Sequence, residues 1–275
     1  MASVTKYRQK WLKYHNSYEK RAFKELRKVF KKWNNIVIGT EFINESTIKQ
    51  QLTASISAED MFTTYYNIYF NIGVKHGLRV GKFINIELTK QFTIVEFMAL
   101  FERNLPLFLR TFGIVRIQQV HQSYLDTVFN MFDDRLKAGK TLKETTDEVF
   151  RVMRSPRFFY YQAERIARTE TTGAANYGAV QSGEVSGFVM EKRWISALDA
   201  RTRRQPESHY DHRQMNSKRV GLKEPFIFNP KSLREDRLFY PGDPNGQAGN
   251  VINCRCTVAV VPKRDKNGRL IRVNN

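Results

Sequence analysis

Residues 158–183 read FFYYQAERIARTETTGAANYGAVQSG, and this stretch lies where the chain changes from helical to mixed structure. A break at Ser155-Pro156 precedes it and Gly183 closes it, so we predict a helix from about residue 158 to 181. The residues on either side of this helix then decide the fold class.

The pattern changes after Gly187. Residues 188–198, FVMEKRWISAL, form a compact β-like run, and residues 254–262, CRCTVAVVP, form a second one. Between them lie about 50 residues that are rich in Pro, Gly, Asn and charged residues. Loops of this length are uncommon inside a compact domain, so the segment is either functional or held by something other than a large apolar core. We therefore predict an α+β fold. Its parts are a basic helical region (1–155) with a docking arm and a helix bundle, a small module with long loops and a short sheet (156–262), and a basic tail (263–275).

The composition limits the class of protein. With 275 residues, 41% of them hydrophobic, the chain can bury a core in one or two domains. It has no apolar run of about 18 residues and no secretory leader, so we predict no membrane partner and synthesis in a cytoplasm. Two cysteines cannot cross-link a fold of this size, which leaves them a metal, a local role or plain packing.

The net charge of +19 predicts a polyanionic partner. Residues 1–33 hold 11 basic and 2 acidic side chains, and their aromatic residues recur at steps of three and four, as on one face of a helix. This helix either docks by its aromatic side on the body of the protein or is an arm that binds DNA phosphates or a partner protein. A membrane-surface helix would show the same pattern. The candidate DNA- or partner-binding residues are Lys10, Lys13, Lys20, Arg21, Lys24, Arg27, Lys28, Lys31 and Lys32.

Further helices are predicted between this arm and residue 155. Residues 58–80 form one that ends among Gly73, Gly77 and Gly81. Two more, at 90–112 and 114–138, are split by Gly113, and Pro106 should break or kink the first. Thr141 and Glu144 have capping-box spacing for the next helix.

Five short motifs occur in a fixed order in the second half of the chain: IARTET (166–171), Trp194 followed by DARTR (199–203), His212, FYPGDP (239–244) and NCRC (253–256). Together they resemble the phage Mu F-like minor head proteins, the head morphogenesis family of tailed phages, over residues 140–262. The positions that carry the resemblance are Arg168, Glu170, Trp194, Asp199, Arg201, Arg203, His212, Pro241, Asp243, Asn253, Cys254 and Cys256. The insertion RQPESHYD lengthens the segment before His212 and adds His209.

The resemblance implies a structural component of the virion, not an enzyme. It implies incorporation into the head interior near the portal, with the portal protein, the major capsid or scaffolding protein and the phage genome as partners. In some relatives the module is fused to toxin or nuclease domains.

The paired cysteines have two interpretations. On a strand, Cys254 and Cys256 would point to the same face, and with His209 and His212 they would make a candidate zinc site. A one-residue gap is tighter than the usual zinc spacing, so buried packing is the alternative and no cofactor is required.

The group of Asp199, Arg201, Arg203 and His212 also has two interpretations. It is a hydrogen-bonded clasp that holds the long loop, or it is an active site in which the arginines stabilise an anion. We favour the clasp, since no nucleophile motif or glycine-rich phosphate loop accompanies the group. The competing function is a zinc-dependent nuclease or toxin-like hydrolase. Glu170 is predicted to pair with a loop arginine.

Overall fold

A computed structural model describes residues 4–88 and 93–273 and confirms the predicted α+β class. The helices are α1 (Val4–Gly39), α2 (Ile48–Ser55), α3 (Ala58–Leu88), α4 (Ile94–Phe108), α5 (Ile114–Lys137), α6 (Leu142–Met153), α7 (Tyr160–Glu184) and the short α8 (Ala248–Val251). The strands are β1 (Met190–Ile195), β2 (Arg219–Gly221), β3 (Phe226–Phe228), β4 (Asp236–Leu238) and β5 (Thr257–Pro262).

Helix α7 lies at the centre of the molecule. Every residue from Thr169 to Gly183 is buried, and the helix packs most extensively against α3 and then against α1. The packing of α7 against α3 requires glycine at position 178, because a Cβ atom there would lie 2.0 Å from the carbonyl oxygen of Gly73. The backbones of α3 and α7 therefore touch.

The prediction that α3 ends among its glycines was wrong. The helix runs through Gly73 and Gly77 to Leu88, and at both glycines the space that a Cβ would need is occupied by α7 backbone and phenylalanine rings. Glycine serves here for close helix packing, although it lowers intrinsic helix propensity.

Helix α1 docks on the body of the protein by its aromatic side, as the first interpretation predicted. The Tyr7 hydroxyl donates to the Val258 carbonyl (3.0 Å), the Trp11 indole donates to the Arg255 carbonyl (2.8 Å), and Arg8 donates to the Ser196 carbonyl (2.8 Å). One hydrophobic core thus continues across the boundary predicted at 155/156, which lies in the turn between α6 and α7.

The turn from α4 to α5 differs from the predicted split. Pro106 lies inside α4 near its end, and residues Leu109–Gly113 form a π-helical turn that passes directly into α5. Gly113 therefore does not end a helix. Residues 90–92 of the first predicted helix lie outside the described residues. The capping box of α6 is confirmed: Thr141 accepts from the Glu144 amide and Glu144 accepts from the Thr141 amide.

Two small antiparallel sheets complete the fold. The first has the order β2-β1-β5, with Trp194 opposite Val258, and the second is the β3-β4 hairpin. Strand β5 begins at Thr257, so Cys254 and Cys256 precede the strand on which they were predicted to lie. No helix of the described residues has the length and apolarity needed to cross a bilayer.

Candidate functional site

Cys254, Cys256 and His212 converge in the interior of the second half of the chain. Their ligand atoms lie within 4.8 Å of one another, and the imidazole Nδ1 of His212 is 3.6 Å from the Cys254 sulfur and 3.5 Å from the Cys256 sulfur. All three side chains are buried, with at most 2% of their surface exposed. We refer to these three residues as the Cys2His cluster.

The imidazole of His212 is held from its other side. Its Nε2 lies 2.7 Å from the Asn250 side-chain oxygen, and the Asn250 amide nitrogen donates to Asp236 (2.8 Å). Because that amide nitrogen faces Asp236, the oxygen faces His212, and Nε2 must donate the proton. The lone pair of Nδ1 is then directed at the two sulfurs.

The two thiols are electrostatically unequal. Burial raises the pKa of Cys256 well above its ordinary value, and the neighbouring Cys254 sulfur raises it further. Burial also opposes ionisation of Cys254, but the hydrogen bond from Cys256 and the adjacent His212 lower its pKa well below the ordinary value. The backbone amide of Cys256 lies 3.4 Å from the Cys254 sulfur. The two sulfurs therefore differ in how readily they ionise.

His209 does not belong to the cluster, contrary to the predicted four-residue zinc set. Its side chain is exposed and contacts Arg234, and its carbonyl accepts from Asn229 (3.0 Å). The long loop thus places the His212 side chain in the protein interior and the His209 side chain at the surface.

Asp199 forms a clasp, but with partners other than those predicted. Its carboxylate accepts from the Arg201 amide (3.1 Å) and the Thr202 hydroxyl (3.0 Å), and it forms an ion pair with Arg255, which lies between the two cysteines in sequence. The Arg203 guanidinium donates to the Ile252 carbonyl. The loop after β1 is therefore fastened to the residues around the cysteines.

Arg168 and Glu170 of the IARTET motif make polar contacts between α7 and its surroundings. Arg168 pairs with Glu19 of α1 (3.0 Å) and donates to the side chain of Asn253 (3.3 Å). Glu170 is buried and accepts from the Tyr69 hydroxyl (3.0 Å). Its guanidinium partner, at 3.4 Å, is Arg116 of α5 and not the predicted loop arginine.

Burial raises the pKa of Glu170, against the opposing effect of the Arg116 charge. Arg116 also donates to the Asp243 carbonyl (2.8 Å), and the Asp243 carboxylate accepts from the Phe239 (2.7 Å) and Asn245 (3.0 Å) amides. The FYPGDP motif is thus a turn held against α5 and α7.

Residues 126–259 match the family model described as Phage Mu protein F like protein. This stretch, just under half of the chain, is similar to the phage Mu F-like family. The matched segment runs from within α5 into β5, so it includes the Cys2His cluster, the Asp199 clasp and the FYPGDP turn. It begins 14 residues before the stretch that the motifs indicated. No curated protein and no solved structure gave a significant match to the chain.

Several residues that position the Mu F-like motifs were missed by the sequence analysis. The Asn176 side chain of α7 donates to the Pro241 (3.0 Å) and Cys256 (3.2 Å) carbonyls and accepts from the Val258 amide (2.9 Å). Trp194, which is fully buried, lies against the His212 ring with centroids 5.5 Å apart. The only sequence signal for Asn176 is a polar residue among the small residues of a buried helix.

A cavity of about 380 Å³ lies between α5, α7 and the residues around α8. Arg116, Arg165 and Glu170 supply its charged groups, and aliphatic side chains such as Val115 and Ile166 supply much of the rest. The Cys2His cluster does not line this cavity.

Proposed function

We propose that this protein is a minor head protein of a tailed phage that is built into the head interior near the portal and contacts the packaged genome. The family supports an assignment to head morphogenesis and to the virion. The proposed partners are the portal protein, the major capsid or scaffolding protein and the genomic DNA, with assembly in the host cytoplasm and no membrane contact.

The proposed contact with DNA rests on the cationic face of α1. Of the predicted basic residues all but Arg27 are exposed, and they lie opposite the buried face formed by Trp11, Tyr18 and Trp33. Lys28 and Lys32 form ion pairs with Glu25 (2.8 Å) and Asp60 (2.7 Å). The exposed residues without an ion pair among the described residues include Lys13, Lys20, Lys24 and Lys31.

The structure extends this face onto α3. The positive charge of Arg21, with partial burial and the charge of Arg79, lowers the pKa of Lys75. Arg79 is held in place by the Tyr14 ring, 4.1 Å from its guanidinium carbon. Phosphates placed over Arg21 and Lys75 would relieve their mutual repulsion, which favours binding of a polyanion.

The length of the face suits a DNA duplex. At about 1.5 Å per residue, Lys10 and Lys32 are about 33 Å apart along α1. One turn of B-DNA measures about 34 Å, and each strand carries one phosphate per about 3.4 Å. A straight helix of this length contacts phosphates without reading bases, so binding is expected to be independent of sequence.

Reversal of four charges on this face tests the proposal. The variant with Lys13, Lys20, Lys24 and Lys31 all changed to Glu is expected to bind duplex DNA more weakly, because four phosphate contacts are lost. In fluorescence anisotropy, the slope of log affinity against log salt concentration should fall in magnitude by about 4.

A matched variant controls for net charge. Lys49, Lys143, Lys223 and Lys266 are also exposed but lie elsewhere, and their change to Glu alters the net charge by the same amount. This variant should keep a slope close to that of the unmodified protein. Equal losses in the two variants would show that only the overall charge matters and would contradict a binding face on α1.

A protein-docking surface is supported by exposed apolar side chains between α4 and α5. Leu107, near the end of α4, is 69% exposed, and Phe112, within the π-helical turn, is 44% exposed. We expect the double variant Leu107→Ser, Phe112→Ser to lose at least about tenfold in affinity for the portal protein of the same phage, since buried apolar contacts of this size contribute more than about 1.4 kcal/mol. Cosedimentation measures this, and unchanged affinity would move the portal contact to another surface.

The role proposed for the protein is non-catalytic. A zinc hydrolase needs a metal that substrate and water can reach. The Cys2His cluster is at most 2% exposed, and His209, which completed the predicted catalytic set, lies apart from it. The family match also favours a structural protein.

A further inference from the structure

The long loop between β1 and β5 has an unusual composition for a packed segment. Residues 196–256 contain only three short strands and one turn of helix, and turns and bends together make up most of the remainder. The Cys2His cluster joins two distant parts of this segment, His212 near its start and the cysteines at its end. The side chains that meet there are those of a soft metal site.

We propose that His212, Cys254 and Cys256 bind one Zn²⁺ ion that fastens this loop to the base of β5. The role is structural and does not depend on the function proposed above.

The distances fit the ligand set. A tetrahedral zinc ion with sulfur at about 2.3 Å and nitrogen at about 2.0–2.1 Å places the nitrogen about 3.5 Å from each sulfur. The observed separations from His212 Nδ1 are 3.6 Å and 3.5 Å. A single nitrogen lone pair accepts one hydrogen bond well, so two equidistant thiols are better explained by a shared metal.

The residues behind His212 are those that a zinc ligand requires. A ligating histidine usually donates its other ring N–H to an oxygen that is itself held in place. Nε2 of His212 has such a partner in Asn250 (2.7 Å), which donates in turn to the Asp236 carboxylate (2.8 Å). Asp236 also accepts from the Gln247 amide (3.0 Å). This arrangement fixes the tautomer in which Nδ1 binds a metal.

Charge balance also favours zinc. Two thiolates, one neutral imidazole and Zn²⁺ sum to zero, so the buried site carries no uncompensated charge. The described residues supply three ligands, His212, Cys254 and Cys256, within reach of one another. Buried beside Trp194 and Phe228, such a site would hold the loop in place of an apolar core.

Metal analysis of the full-length protein tests the assignment. Protein purified with a non-chelating reductant and without added metal is expected to contain about one zinc per chain by mass spectrometry of the elements. The double variant Cys254→Ser, Cys256→Ser should lose it. His209→Ala, which changes a histidine of the same loop outside the cluster, should retain it.

Two measurements on the unmodified sequence keep the test valid if the double variant fails to fold. Removal of the metal with a strong chelator should lower the melting temperature by about 10 °C, and zinc should restore it. Cobalt added to the metal-free protein should give thiolate charge-transfer and tetrahedral d–d absorption. Zinc-free protein that shows no cobalt spectrum would overturn the proposal, and so would stoichiometric copper in place of zinc.

Discussion

Gly178→Ala is expected to lower the free energy of unfolding by at least about 4 kcal/mol. The new Cβ would lie 2.0 Å from the carbonyl oxygen of Gly73 and 2.6 Å from its carbonyl carbon. These are backbone atoms of α3, so no side-chain rotation relieves the overlap, and the helices must separate. Separation weakens the most extensive helix contact in the protein.

Urea denaturation followed by circular dichroism measures this loss, and failure to obtain folded protein is the extreme form of the same result. Gly39→Ala is the control, because it lies at the end of α1 with no atom within 4 Å of the new Cβ. We expect it to change the free energy of unfolding by less than about 1 kcal/mol. If both variants unfold at the same urea concentration, the close approach of α3 and α7 is not correct.

Acidification is expected to destabilise the protein through two buried histidines, His15 and His76. Burial lowers the pKa of each to about 3, with further lowering by Arg79 at His76 and by Arg255, Arg168 and Arg201 at His15. In the unfolded chain a histidine has a pKa of about 6.5. Below that pH the unfolded state binds protons that the folded state excludes, so stability falls as the pH drops from about 6.5 toward 3.

Each histidine is expected to remove about 2 kcal/mol of stability between pH 7 and pH 5. His76 is the better one to change, since neither ring nitrogen has a hydrogen-bond partner among the described residues and the ring packs against Trp11 at 5.1 Å. His76→Phe keeps an aromatic ring and removes the titration, so about 2 kcal/mol of the acid sensitivity should disappear. His15 accounts for a similar share and remains in this variant.

Urea denaturation at pH 7 and pH 5 gives the comparison. Buried carboxylates such as Glu170, whose pKa burial raises, act in the opposite direction, which makes the difference between variants more informative than the total. Gly39→Ala, which changes no titratable group, serves as the control and should keep the pH dependence of the unmodified protein. An unaltered pH dependence in His76→Phe would contradict the burial of an uncharged His76.

The sequence predicted those features that depend on neighbours along the chain. The aromatic stripe of α1, the capping box of Thr141 and Glu144, and the change from helices to strands after Gly187 follow from local periodicity and capping chemistry. The role of Gly73 and Gly77 was predicted wrongly. The local sequence does not distinguish a glycine that ends a helix from a glycine that allows a second helix to pack closely. Only the position of α7 separates the two cases.

The sequence predicted the candidate site only in part, because some of its residues meet only through contacts between distant segments. Cys254 and Cys256 do lie side by side, although the strand that suggested this begins at Thr257. His209 and His212 are equivalent by sequence, and the fold of the loop alone directs one toward Arg234 and the other toward the cysteines. Arg116 and Asn250 were missed, because their partners are contributed by segments far away in the chain.

The docking of α1 has a consequence for synthesis on the ribosome. The hydrogen bonds from Trp11 and Tyr7 to the residues around β5 span 244 and 251 positions of the chain. Helix α1 therefore leaves the ribosome well before the segment around β5 that its aromatic side contacts. Contacts of such long range slow folding, and an exposed aromatic surface promotes aggregation in the meantime. Nascent chains halted before residue 255 should bind chaperones through α1, and chains extended beyond β5 should release them.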